Sequence, residues 1–233
     1  MPGVERVPTA AQGYDDLPPG SMRALAVMSH IMHGYQGTIL RWARERGPSI
    51  TPAGARFMIG RSGRLVQHVG VYDAAWHAGH VAAPTWALYR PGTNPNRCTV
   101  GIEHEGFSVP PPYPYDYLYD QQRPWPQPMV EASIAVHRWL MGELALEPAP
   151  DTVIGHCMTD SVTRADDPGA AWPRERVIQS LGGTPARPEP LTLGHARWAE
   201  LGLALGGYMG RGTRPLRFDG PFELHELRIC SES

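Results

Sequence analysis

Apolar residues in this chain fall into short runs broken by glycine and proline, and the period of each run predicts an element. Residues 24–30 are almost wholly apolar, as in a central strand covered on both faces, and they close on His30. Residues 56–60 and 64–69 flank Arg61-Ser62-Gly63, a glycine-containing loop of hairpin length. Residues 98–105 form another strand. A further β-branched run, Thr152-Val153-Ile154, is followed by Gly155 and His156. Helical spacing predicts helices over 39–46, where Leu40, Trp42 and Ala43 make the apolar side, and over 131–146. In the second, Val130, Ile134, His137, Leu140, Met141 and Leu144 recur at three- and four-residue steps, and Pro148 and Pro150 follow. Residues 172–181 read as a last core helix, with Pro173 suited to its start.

Between these elements the pattern lapses. Residues 1–22 are rich in Pro, Gly and Asp and read as an extended arm with little to bury. Residues 76–79 read as a loop. Residues 108–128 are packed with Pro and Tyr and read as a long surface loop, the kind that often carries function. A Gly/Pro-rich linker over 182–190 separates residues 23–183 from an appendage, 184–233, too short to be an independent domain. In the appendage, residues 191–208 suit a helix and 222–229 alternate like an edge strand. It is expected to pack on the core or on a second copy of the chain, which would make it an oligomerisation element.

Charge narrows the partners. The net charge of −2 leaves no basic footprint for nucleic acid. No apolar run approaches membrane-spanning length, which argues against membrane insertion. The first residues lack a basic start and an apolar stretch, so cytoplasmic synthesis without a signal peptide is expected. All 21 basic residues are arginine, which excludes lysine chemistry. Cys98, Cys157 and Cys230 are too few and odd in number for a disulfide framework. Free thiols are expected, with a Cys98–Cys157 bridge as the alternative.

The chemistry sits at strand ends. Two strands end in histidine, His30 and His156, and Asp167 stands at an Asp-Pro-Gly turn shortly after the second. Three such ligands with one open position are the arrangement of a catalytic zinc site. His33 is a rival to His30 that otherwise lines the groove or faces water. Asp166 competes with Asp167, although a residue directly before proline is held extended. Asp160 reads as a solvated loop residue. Glu103 and Glu105 share one face of their strand and His104 the other.

Several ordered blocks carry a family resemblance. They are Val27-Met28-Ser29-His30, the stretch 57–67, Ala74-Ala75-Trp76-His77-Ala78-Gly79, Val100-Gly101-Ile102-Glu103-His104-Glu105-Gly106, Val153-Ile154-Gly155-His156 and Asp167-Pro168-Gly169. Over residues 24–180 the chain resembles the zinc-dependent N-acetylmuramoyl-L-alanine amidases of the amidase-2 type, which share a fold with peptidoglycan recognition proteins. The resemblance implies an α/β fold with a central mixed sheet flanked by helices. It implies zinc on His30, His156 and Asp167, with Glu103 as general base. The implied partners are peptidoglycan or muropeptides, cut at the amide between N-acetylmuramic acid and L-alanine. Many relatives carry a lysine two residues before the ligand aspartate. Ala165 stands there in this chain, and Arg164 is the nearest cation to take over its role. Trp76 and His77 suit sugar or peptide contact, with a core position the alternative for Trp76. Glu105 suits a structural partner for an arginine. With the resemblance, the appended tail over 184–233 also suits wall targeting, and it favours a phage or prophage endolysin acting on the wall after release. A cytoplasmic muropeptide-recycling amidase is the alternative, and a non-catalytic peptidoglycan-binding protein is a rival of another class.

Overall fold

In the computed structural model, residues 1, 3–7, 14–15, 17–18, 22–45, 54–107 and 124–184 are described. The chain divides into two units, Met1–Ala186 and Arg187–Ser233. The expected helix over 191–208, the strand over 222–229, Cys230 and the tyrosines of the long loop lie outside the described residues.

Six strands build the main sheet. They are β1 (Glu5–Arg6), β3 (Ala26–Ile31), β4 (Phe57–Ile59), β5 (Leu65–Gln67), β7 (Thr99–His104) and β8 (Val153–Gly155), in the order β1-β5-β4-β7-β3-β8. The hairpin pair β4·β5 is antiparallel and the other four pairings are parallel, so the sheet is mixed. A small second sheet pairs β2 (Tyr14–Asp15) with β6 (Ala74–Ala75). Every residue of β3 is buried, as its unbroken apolar run requires. Because β3, β7 and β8 are parallel, their C-terminal ends open on one side. That side is where ligands bind in sheets of this kind.

The two faces are covered differently. Helices α2 (Gln127–Glu143) and α3 (Arg174–Ser180) send Met129, Val136, Leu140, Val177 and Ile178 into one core with Val27, Phe57, Val100 and Ile102. On the opposite face, Met58 and Val66 pack with Leu40 of α1 (Gln36–Glu45) and with Val7, while Ala26, Met28 and Ile154 pack with Ala78 and Trp86. Register places Met28 beside Gly101, His30 beside Glu103 and Met58 beside Glu103. These side chains share the face away from α2.

Element boundaries differ from the sequence pattern for local reasons. Helix α1 starts at Gln36, whose buried amide donates to Met58 O at 3.2 Å and Arg64 O at 2.9 Å. Gly37 masked this first turn. Helix α2 starts four residues before the expected 131, with a proline in its first turn, where a missing N–H costs nothing. It ends early because Ala145 has φ +50° and Leu146 N bonds back to Met141 O at 2.9 Å. The N-terminal arm is corrected more strongly. It supplies β1 to the sheet edge, and Val7 and Met22 are buried. A two-residue strand is too short to show a period, and its partner lies 61 positions away, Glu5 pairing with Val66.

Two buried polar features matter later. Arg56 is fully buried, and its guanidinium donates to Thr99 O at 2.8 Å, to Asp73 O and to the Met22 sulfur. Burial pushes its pKa down to about 9, with Asp73 opposing. On the α2 face, His104 Nδ1 donates to His30 O at 3.0 Å, and its Nε2 lies 3.0 Å from Ser133 Oγ. Its ring lies against Trp125, with centroids 4.5 Å apart. Cys98 and Cys157 are free thiols. Among the described residues no helix is long and apolar enough to cross a membrane.

Candidate metal centre

The parallel strand ends bring together three side chains from distant parts of the sequence. His30 sits near the end of β3. His156 opens a short 3-10 turn directly after β8. Asp167 is delivered by the intervening loop. A Cβ at Gly155 would meet Pro168 Cδ at 2.8 Å and the Trp172 ring at 3.1 Å, so glycine there lets the Asp-Pro-Gly turn fold onto β8. Asp167 is then held through both backbone and side chain: Cys157 N donates to Asp167 O at 2.8 Å, and Ile31 N donates to Asp167 Oδ1 at 2.9 Å. All three side chains are buried.

Their ligand atoms form a tight triangle. His156 Nδ1 lies 3.0 Å from Asp167 Oδ2, His30 Nδ1 lies 3.0 Å from His156 Nδ1, and His30 Nδ1 lies 3.7 Å from Asp167 Oδ2. The His156 tautomer follows from its partner. Its Nε2 is 2.8 Å from the Ala78 carbonyl, which only accepts, so Nε2 carries the proton and a neutral ring presents a lone pair at Nδ1. That lone pair faces a carboxylate oxygen and another imidazole nitrogen. With its own proton on Nε2, His30 would complete a set of three acceptors suited to a cation. A proton on His30 is disfavoured by burial first and by His156 second, which lower its pKa against the pull of Asp167. A small metal ion fits: ligands on a tetrahedral zinc at about 2.0–2.1 Å lie roughly 3.3 Å apart, within the observed range.

Glu103 is the register partner of His30. Its Oε2 is buried and has no hydrogen-bond partner among the described residues. Burial, and then the Asp167 carboxylate, push its carboxyl up to about 8, with the Arg164 charge opposing. A carboxyl so displaced, beside the three candidate ligands, is suited to holding and releasing a proton near neutrality.

The remaining expected residues are placed as follows. Arg164 is exposed on the loop before Asp167 and acts on Glu103 and His30 through its charge. His33 is exposed at φ +49° in the turn after β3, outside the triangle. Asp166 is exposed and outside it too. Trp76 is partly buried, and its indole N–H donates to Asp15 Oδ1 at 3.0 Å. His77, expected at the substrate surface, is only 8% exposed and lies beneath His30, with Nδ1 at 2.8 Å from His30 Nε2. Burial first, then His30 and Arg56, hold it well below the usual imidazole pKa. Asp160, expected in solvent, is 1% exposed: its carboxylate accepts from Val162 N, Thr163 N and the Thr163 hydroxyl and closes the loop to Asp167. Glu105 does act structurally, accepting the backbone N–H of Arg61 at 2.7 Å. Asn96 was not anticipated. Its Oδ1 accepts from His77 N at 3.0 Å and Ala78 N at 2.7 Å, and the only hint was its place in an Asn-Pro-Asn loop.

Comparison with known proteins places this geometry. The chain is similar to AmpD, with 21% identity, a TM-score of 0.57, and coverage of 76% of this chain and 95% of that one. It is similar to AmiD from E. coli, crystallised with anhydro-N-acetylmuramic acid-L-Ala-D-gamma-Glu-L-Lys, with 18% identity, a TM-score of 0.54, and coverage of 87% and 74%. AmpDh3 from Pseudomonas aeruginosa, in complex with anhydromuramic pentapeptide, matches with 18% identity, a TM-score of 0.52, and coverage of 75% and 66%. At these identities the likeness is one of fold. No curated protein sequence matches the chain significantly. The family model for N-acetylmuramoyl-L-alanine amidase matches residues 9–170, a span that holds the triangle and Glu103 alike. With fold, site and family model in agreement, the chain belongs to the N-acetylmuramoyl-L-alanine amidase family and is a peptidoglycan amidase.

Proposed function

We propose that the protein hydrolyses the amide between N-acetylmuramic acid and L-alanine with zinc held by His30, His156 and Asp167. The observation that carries this is the convergence of His30 Nδ1, His156 Nδ1 and an Asp167 carboxylate oxygen at separations of 3.0, 3.0 and 3.7 Å. Two neutral imidazoles and one carboxylate suit zinc and leave it a net charge of +1. When bound, the ion supplies Lewis acidity toward the scissile carbonyl and the attacking water. Glu103 takes the proton of that water and returns it to the departing amine. Its raised pKa serves the second task, and a divalent ion on the three ligands would lower that pKa for the first. Arg164 offers positive charge to the developing oxyanion, in the place where Ala165 leaves no lysine. His33 and Trp76 are assigned here as contacts for sugar or peptide, a reading that their exposed and half-exposed side chains allow.

The reading extends to the setting. Residues 184–233 follow the catalytic unit and favour a phage or prophage endolysin that acts on intact wall. A second reading, recycling of soluble muropeptides, is favoured by the anhydromuramyl peptides described with AmiD and AmpDh3. Mass spectrometry of digested cell wall tests the reaction: new L-alanine N-termini are expected, and new reducing sugars would refute an amidase. Metal analysis is expected to find about one zinc per chain, as a three-ligand site requires. Deleting residues 185–233 separates the settings. An endolysin loses wall adhesion and keeps activity on soluble muropeptides, whereas unchanged activity on intact wall removes that reading.

A further inference from the structure

His30 has two ring nitrogens, and a metal can take only the one without a proton. Nδ1 faces His156 and Asp167. Nε2 faces His77 Nδ1 at 2.8 Å, with the two rings T-shaped at 87°. One proton lies in that contact, and its owner decides whether His30 has a lone pair for the ion.

The far side of His77 supplies the answer. Its Nε2 lies 3.3 Å from both Thr99 O and Thr99 Oγ1. The carbonyl can only accept, and it already takes a proton from Arg56 at 2.8 Å. The hydroxyl gives its single proton to Pro95 O at 2.7 Å, which leaves lone pairs toward the imidazole. Nε2 of His77 therefore carries the proton. A neutral His77 then has its lone pair on Nδ1, and the shared proton belongs to His30 Nε2.

The seat for this ring is built into the sheet. Gly101 lies beneath it in the middle of β7, where a Cβ would stand 2.5 Å from the His77 Cγ and 2.6 Å from its Nδ1. Any side chain at 101 would displace the imidazole. Asn96 holds the adjoining backbone through its two N–H contacts at residues 77 and 78.

We propose that His77 is a positioning residue for the metal: seated on Gly101 and oriented by Thr99, it accepts the Nε2 proton of His30 and leaves His30 Nδ1 free to bind the ion. The proposal rests on the zinc reading and adds a residue outside the ligand set. It is tested on the full chain by zinc affinity from chelator competition, with thermal unfolding of the metal-free protein as the folding control. His77→Leu is expected to weaken zinc binding roughly 10–100-fold, the usual cost of losing such a support. His77→Asn places an amide oxygen near the lost Nδ1 and is expected to recover most of it. A folded His77→Leu protein with wild-type zinc affinity overturns the proposal. Nitrogen-15 NMR of labelled histidines in the zinc-loaded wild type does not depend on how a variant folds: His77 as the Nε2–H tautomer supports the proposal, and His77 as the Nδ1–H tautomer overturns it. A wild type that takes up no zinc overturns the zinc reading as well, whereas tight wild-type binding with an unaffected leucine variant removes the positioning role alone.

Discussion

Replacing His137 with phenylalanine separates the titration of one buried imidazole from the packing of its ring. His137 lies on α2, fully buried. Its Nδ1 donates to Ser133 O at 2.8 Å, and its Nε2 has no partner among the described residues. Burial lowers its pKa from 6.5 to about 4, with the Ser133 carbonyl opposing. The titratable group facing it is His104 of β7, across the Ser133 hydroxyl. A depressed folded-state pKa means that the neutral ring's contribution is complete above the unfolded value and is lost as pH falls from about 6.5 toward 4. At pH 5 the unfolded chain has taken the proton and the folded chain has not, which costs about 2 kcal/mol at 1.36 kcal/mol per unit. At pH 7 the unfolded chain is mostly neutral as well, and the cost is small. Phenylalanine keeps a ring of similar shape and removes the titration. Its packing cost and the lost Ser133 bond do not vary with pH. Urea unfolding, followed by tryptophan fluorescence with chelator present, gives the stability of both proteins at each pH. The variant is expected to gain about 2 kcal/mol on the wild type between pH 7 and pH 5. A difference that is the same at both pH values refutes the reasoning.

Other expectations concern the site and its loop. Glu103→Gln keeps zinc and fold but lowers hydrolysis by roughly 10²–10⁴-fold, the span of a lost general acid–base; metal content and turnover measured together check it. Arg164→Ala lowers the rate by at least about tenfold if its charge serves the oxyanion, and a wild-type turnover number would remove it from the mechanism. Asp160→Ala strips the acceptor from two backbone N–H groups and the Thr163 hydroxyl. About 1–3 kcal/mol of stability should be lost, and weaker metal retention with it, as read by denaturant titration and dialysis against chelator.

The sequence made some of this legible and hid the rest for physical reasons. The strands that carry His30, Glu103 and His156 announced themselves, because buried parallel strands are unbroken apolar runs and their polar ends stand out. Gly155 and the Asp-Pro-Gly turn were visible as local chemistry. Contacts made by short or polar segments were not. Asp160 looked like a solvated loop acid because its three donors come from its own following residues, and a loop composition gives no sign of burial. The arm containing Val7 had no period to read. His77 was drawn toward the substrate by its neighbour Trp76, while its true neighbours, Gly101 and Thr99, lie on another strand. Sequence shows periodicity along an element well and the stacking of one residue on another poorly.

The triangle spans most of the catalytic unit: 126 positions separate His30 from His156, and Asp167 follows still later. Neither terminal half of the catalytic unit holds more than a fragment of the set, so a chain emerging from the ribosome has nowhere to load the ion until β8 has docked beside β3. On the proposed zinc reading, metal uptake is linked to completion of the whole sheet, and the free energy of uptake adds to the free energy of folding. On that reading, copies of this peptidoglycan amidase in which the sheet is incomplete would lack the ion and, with it, the hydrolytic chemistry.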